Sequence, residues 1–134
     1  MRYAVALLVG LWLIGAQTAA AEAPPIKELG GIAAQESVFE ASSATKPLVI
    51  TSAKEAAEHF SKEELDKLGK AVDFTNQVVL VFAWRGSGGD RLSYAVAESY
   101  PEQVVFNLKR GLTRDLRPHV YIYALRNNVK WTAP

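Results

Sequence analysis

The chain has no cysteine, which excludes disulfides and also excludes a lipid-anchored form, because the thiol that would carry the lipid is missing. Histidine is almost as scarce. Only His59 and His119 occur, without His-x-x-x-His or comparable spacing, so a zinc site would have to be completed by carboxylates and none is specified. Long apolar runs are missing too. The one concentrated stretch, Ala4 to Gly15, is about a dozen residues, whereas a membrane-spanning helix takes roughly 20. Net charge is close to zero, with 15 Lys and Arg against 14 Asp and Glu, which disfavours nucleic-acid binding.

The N-terminus carries a different signal. Arg2 precedes the apolar run, and the small-residue stretch Ala16-Gln17-Thr18-Ala19-Ala20-Ala21 follows it, the pattern of a secretory signal peptide cut after Ala21 or two residues later. The expectation is therefore a secreted or periplasmic protein with no stable membrane span once the signal is cleaved. About 113 residues then remain, enough for one domain with a single core. The reading divides the chain into a signal peptide at 1–21, a flexible arm or linker at 22–46, and a single α+β domain at 47–134.

Balanced charge conceals a polarity along that mature chain. Glu22 to Asp73 holds ten acidic and six basic residues, every cation a Lys, while Phe74 to Pro134 holds four acidic and eight basic residues, six of them Arg. Arginine offers a planar fork of donors suited to carboxylate, phosphate and sulfate, whereas lysine is a flexible point charge. The cations of the second half are thus the ones suited to recognition.

Pro24-Pro25, Gly30-Gly31 and Ser42-Ser43 interrupt any period in the arm, although Ile32, Val38 and Phe39 could dock a piece of it. Pro47 to Thr51 reads as a short strand. Ser52 with Glu55, and Ser61 with Glu64, have capping-box spacing and predict helices from about Ala53 to Phe60 and from Ser61 to near Gly69. Gln77 to Trp84 is apolar and β-branched without alternation, as in a strand covered on both faces. Gly86 to Asp90 can adopt positive φ and turn the chain into a hairpin partner, Arg91 to Ser99. Tyr100-Pro101-Glu102 turns the chain into Gln103 to Lys109, and His119 to Arg126 and Val129 to Trp131 follow. The expected fold class is α+β, with short N-terminal helices packed on an antiparallel β-meander of about five or six strands.

No complete catalytic or nucleotide-binding motif is present. A nucleophile elbow needs Gly two residues before Ser87, where Arg85 stands, and a phosphate loop needs Lys after its last glycine, where Asp90 and Arg91 lead into a strand. Two polar connections still stand out: Arg85, Ser87, Asp90 and Arg91 around the glycines, and Arg114, Asp115, Arg117 and His119 in the segment starting at Arg110. One reading gathers the arginines on an anionic ligand or on a protein partner in the envelope or outside the cell. The other pairs Asp90 and Asp115 with Arg forks that pin loop to sheet. The leading expectation is an exported, non-catalytic binding module with an Arg-rich loop face, without cofactor or metal. Its alternatives are a small hydrolase using Ser87, Asp90 and His119, and a purely structural envelope protein. Tyr94, Tyr121, Tyr123, Trp84 and Trp131 fit either an aromatic platform or core packing.

From Val72-Asp73-Phe74, through Trp84-Arg85-Gly86-Ser87-Gly88-Gly89-Asp90-Arg91-Leu92, to Thr113-Arg114-Asp115-Leu116-Arg117, the chain resembles a group of short bacterial exported proteins of unassigned function. More distantly, between about Leu48 and Val129, the order of short helix, V-D-F, apolar strand and Gly-Gly turn is similar to the C-terminal domain of the B component of a protease complex, a protease-stabilising module. That family tends to have an aromatic after the Gly-Gly pair, where Asp90 stands here. The resemblance implies a β-rich, non-catalytic module.

Overall fold

The computed structural model describes residues 23–134. The predicted signal peptide lies outside the described residues. Gln77–Gly86 forms the central strand, and its length and lack of alternation have the physical origin the sequence indicates: Val79, Val81 and Ala83 face one apolar layer while Leu80, Phe82 and Trp84 face another, all 7 % exposed or less. A strand buried on both faces needs two covers.

One cover is helical. The strands of the first sheet are β1 (Ile26–Glu28), β2 (Leu48–Ile50), β3 (Gln77–Gly86) and β6 (Arg117–Arg126), in the order β1-β6-β3-β2 and antiparallel throughout. Helices α1 (Val38–Ala41), α2 (Ala53–Ala56) and α3 (Lys62–Ala71) accompany it, and Val38, Ala56, Phe60 and Leu68 pack with Val79, Val81, Ile122 and Ala124. Both predicted caps are present. Ser52 Oγ accepts from Glu55 N at 3.2 Å and Ser61 Oγ from Glu64 N at 3.4 Å. The glutamates, however, reach elsewhere than the cap's own amide: Glu55 accepts from Thr51 N at 2.9 Å, and Glu64 accepts from Ala33 N at 2.9 Å.

That second bond belongs to a larger difference in the 22–46 segment, whose sequence suggests an arm. It supplies β1 and α1, buries Ile26, Leu29, Val38 and Ala44, and pairs Ile26 to Glu28 with Leu125 to Tyr123. Too few of its residues are periodic to betray this locally, because each apolar side chain is spent on a different contact.

The other cover is a second sheet, and it corrects the expected meander. β4 (Arg91–Ala97) and β5 (Gln103–Lys109) form an antiparallel hairpin, and β7 (Lys130–Thr132) joins β5 in parallel, giving the order β4-β5-β7. The Gly86 to Asp90 turn therefore makes no hairpin. β3 pairs along its whole length with β6, Gln77 opposite Arg126 and Gly86 opposite Arg117, while the turn carries the chain from one sheet to the other. Had β4 continued the first sheet edge to edge, Leu80, Phe82 and Trp84 would have faced water. Folded over them instead, the β4–β5 hairpin brings Leu92, Val104 and Phe106 against Phe82, Tyr123 and Leu125.

Aromatic rings fill that second layer. Phe82 lies 4.8 Å from Phe106 and 6.2 Å from Tyr123 between centroids, and Tyr94 meets Tyr123 edge-on at 5.7 Å. Burial pushes the Tyr123 hydroxyl's pKa above its ordinary value, with the charges of Glu28, Tyr121 and Tyr94 adding to the effect. Replacing Phe82, which is fully buried, with Ala should cost about 3–5 kcal/mol of unfolding free energy in a urea titration. Val105→Ala on the exposed face of β5 should stay within about 0.5 kcal/mol of the parent.

Candidate functional site

The turn after β3 and the connection between β5 and β6 meet at one end of the two sheets, and buried Asp90 is the centre of that meeting. Its carboxylate is 1 % exposed. Oδ2 accepts the Trp84 indole N–H at 3.0 Å, Oδ1 accepts the Gly111 amide at 2.8 Å, and Arg110 Nη1 stands 3.6 Å away. The Gly111 amide, followed by the Trp84 indole and the charges of Arg110 and His119, holds the carboxyl below its ordinary pKa of 3.8 against the opposing effect of burial.

Asp115 makes the reciprocal connection from the other segment. Its Oδ1 accepts the Thr113 hydroxyl and, at 3.0 Å, the Gly88 amide, while Oδ2 accepts Arg117 Nε at 2.9 Å. The Thr113 hydroxyl, then the Gly88 amide, then Arg117 depress its pKa strongly. Ser87 Oγ completes the knot, accepting the amides of Gly89 at 3.2 Å and Thr113 at 3.1 Å. It also lies 2.7 Å from Thr113 Oγ1. Because Thr113 gives its only hydroxyl hydrogen to a carboxylate, Ser87 must be the donor in that pair. The chain of bonds thus runs Ser87 to Thr113 to Asp115.

Four glycines make the approach close enough. A Cβ on Gly86 would stand 2.6 Å from Asp90 Oδ2, and one on Gly88 would stand 2.7 Å from Asp115 Oδ2. Gly89 and Gly111 pack backbone to backbone: a Cβ on Gly111 would come within 2.5 Å of the Gly89 backbone and collide with Ser87 Oγ. The freedom of these glycines to take positive φ is not used in this turn. Among the described residues the only positive φ is at Gly31, so space, and not handedness, demands these glycines.

The residues that stand out in the sequence divide into those in the knot and those outside it. Ser87, Asp90, Asp115, Arg117 and His119 are brought together. Arg91 wraps back on the same turn, donating to the carbonyls of Gly88 at 3.1 Å and Asp90 at 2.8 Å. Arg85 is elsewhere: strand alternation sends it to the helical face, where it pairs with Glu36 at 2.5 Å and lies 4.1 Å above the Phe39 ring. Arg114 sits at the exposed crest of the connection without a hydrogen bond or ion pair among the described residues. The Asp residues meet single Arg N–H groups, not forks, and their principal partners are backbone amides, the Thr113 hydroxyl and Trp84. Sequence reasoning misses Trp84, Gly111 and Thr113 as members of the site. The Gly111-x-Thr113 spacing opposite Ser87 is the only sequence trace of their role.

Three groups of the hydrolase alternative are neighbours, but their bonds follow another path. His119 Nε2 lies 2.7 Å from the Ser87 carbonyl oxygen, not from Oγ, and since a carbonyl only accepts, Nε2 carries the hydrogen. The imidazole is stacked on Trp84, with centroids 4.9 Å apart and planes at 22°. Ser87 gives its hydrogen to Thr113. No cluster of three His, Asp or Glu side chains suited to a metal occurs among the described residues, and no helix there is long and apolar enough to cross a membrane.

No family model, curated protein or solved structure matches the chain. The site's chemistry must therefore be read from its own geometry, which is that of a latch with an exposed crest.

Asn at position 90 keeps one acceptor oxygen for two fixed donors, so either Trp84 Nε1 or Gly111 N loses its partner. Asp90→Asn should lower the melting temperature by roughly 4–8 °C at neutral pH. The pH dependence has a definite sign. A carboxyl whose folded pKa lies below 3.8 contributes its stability above that pH and loses it as pH falls toward the folded value. Parent and variant melting temperatures should converge on acidification below about pH 4, measured by circular dichroism.

Gly111→Ala tests the packing separately. It should destabilise the fold by at least as much as Asp90→Asn, while Gly30→Ala, where an added Cβ meets nothing within 4 Å, should melt like the parent.

Proposed function

We propose that the chain is an exported, non-catalytic binding module whose Lys109 to Arg117 connection takes an anionic partner, as the Arg-rich reading of the sequence implies. The observation that carries this reading is the contrast between a tightly held base and an unheld crest. Gly111, Thr113 and Asp115 are each bonded into the turn after β3. Between and beside them Leu112 is 99 % exposed, Leu116 is 73 % exposed, and Arg114 has no partner among the described residues.

A segment fixed at three points has already lost much of its conformational entropy, so ordering it on a partner costs little more. Its display is mixed. Arg110 and Arg117 keep side-chain exposures of 62 % and 69 % despite their contacts with Asp90 and Asp115, leaving donors available on the outer side. Two leucines beside them supply apolar contact that a purely charged surface lacks. The fold itself gains nothing from those leucines. Arg85, paired on the opposite face of the sheet, does not belong to this surface.

A panel of defined anions tests the reading: inorganic phosphate, sulfate, poly-aspartate, and vesicles of phosphatidylglycerol against phosphatidylcholine. The parent should bind at least one in a salt-sensitive manner, with Arg114→Ala weakening that binding about tenfold and leaving the melting temperature unchanged. Binding that is equal in parent and variant would remove the crest from consideration.

A further inference from the structure

The two sheets treat their edges differently. In the first sheet, every edge is short, covered or blocked. β1 and β2 are three residues each, and β1 has Lys27 and Glu28 within it. Past the end of β2, the β3 amide of Ala83 donates to Ser42 Oγ at 3.1 Å. β6 runs beyond β1, but the bonds from Leu29 N to the Ile122 carbonyl and from Arg126 N to the Pro25 carbonyl direct the even-numbered backbone groups to that side. Pro118 therefore faces the open stretch and removes one donor from it.

β4 has none of these protections. Its seven residues, Arg-Leu-Ser-Tyr-Ala-Val-Ala, pair with β5 on one side and with no strand on the other among the described residues. It contains neither Pro nor Lys, and its only charge is at the first position. Leu92, Tyr94 and Val96 point to the core side, where Tyr94 and Val96 remain 39 % and 38 % exposed. Ser93, Ala95 and Ala97 on the outer side are small and neutral, so no side chain bars an approaching strand.

We infer that β4 is a homodimerisation edge, pairing antiparallel with β4 of a second copy to join two three-stranded sheets into one. The strand is self-complementary in that arrangement. With Tyr94 opposite Tyr94 of the second copy, Leu92 falls opposite Val96, so the apolar side chains meet on the core side from both directions. Ser93 falls opposite Ala95, neither of which obstructs the other. The match is two-fold, so each copy covers the exposed Tyr94 and Val96 of the other with the same residues. The inference is independent of the Lys109 to Arg117 crest, which is carried on a different segment.

Register gives the test its sharpness. In the monomer, Ser93 and Ala95 lie directly opposite the uncharged Asn107 and Val105, with Arg91 and Lys109 the next pair along the same face. In the dimer Ser93 and Ala95 of the two copies face each other. Ser93→Lys with Ala95→Lys puts two pairs of like charges across the junction, whereas Ser93→Glu with Ala95→Lys puts two pairs of opposite charges there. Sedimentation equilibrium of the purified protein over a wide concentration range should show a monomer–dimer equilibrium for the parent. The Lys/Lys variant should weaken it about tenfold or more, and the Glu/Lys variant should return it to the parent level or tighter. Both variants should melt like the parent under conditions where all are monomeric. A parent that stays monomeric throughout overturns the inference, and so does a dimer on which the two variants act alike.

Discussion

A carboxylate with almost no access to water joins the two sheets at one end. Asp90 belongs to the turn that leaves the first sheet, and its partners lie on both sides of the crossing: Trp84 on β3, and Gly111 in the segment returning from the second sheet to β6. Burying a charged group without partners is costly, so the Asp90 position is stable only when both donors are present together. That requirement links the sheet crossing, the indole orientation and the course of the β5–β6 connection into one condition. Trp84 in turn stacks on His119 and Tyr121, so the same bond fixes an aromatic row along the first sheet.

Much of the local structure was legible in the sequence. The unalternating Gln77 to Trp84 run gave β3, serines at capping distance gave the starts of α2 and α3, and Tyr100-Pro101 gave the β4–β5 turn. These features are legible because their causes are local: a strand's burial, an amide's acceptor, a turn's dihedral angles. The expected β4–β5 pair is present, and what failed was the pairing of β3, β6 and β7. Consecutive order suggested that β3 pairs with β4, but β3's sheet-facing residues Leu80, Phe82 and Trp84 needed a lid more than β3 needed another neighbour. β6, some thirty residues later, filled the edge. A sequence records the need for cover without recording which segment supplies it.

The site was legible in the same partial sense. Clusters of Arg and Asp around glycines marked the two connections that do meet, yet the residue types suggested guanidinium forks where the structure uses backbone amides and a tryptophan. A backbone donor has no letter of its own in a sequence, so Gly111 and Gly88 carry no sign that they bond a carboxylate. Arg85 illustrates the opposite error. It is adjacent in sequence to Trp84, but one step along a strand reverses the face, and Glu36 from the N-terminal segment neutralises it on the other side of the sheet.

Glycine spacing separates what the latch holds from what it displays. Because Gly89 and Gly111 touch through their backbones, the two segments cannot slide past one another without parting, and the position of the crest is set by the same contact that sets the sheet crossing. Side chains between the anchor points are therefore relieved of any packing duty. Leu112 and Leu116 point into solvent from a backbone that is nonetheless fixed, whereas an equally exposed residue in an untied loop would sample many positions. A partner that met this crest would find its apolar and cationic groups already at fixed separations, and loosening the latch at Asp90 would weaken recognition by freeing the backbone and by releasing Arg110, while Leu112, Arg114 and Leu116 stay unaltered.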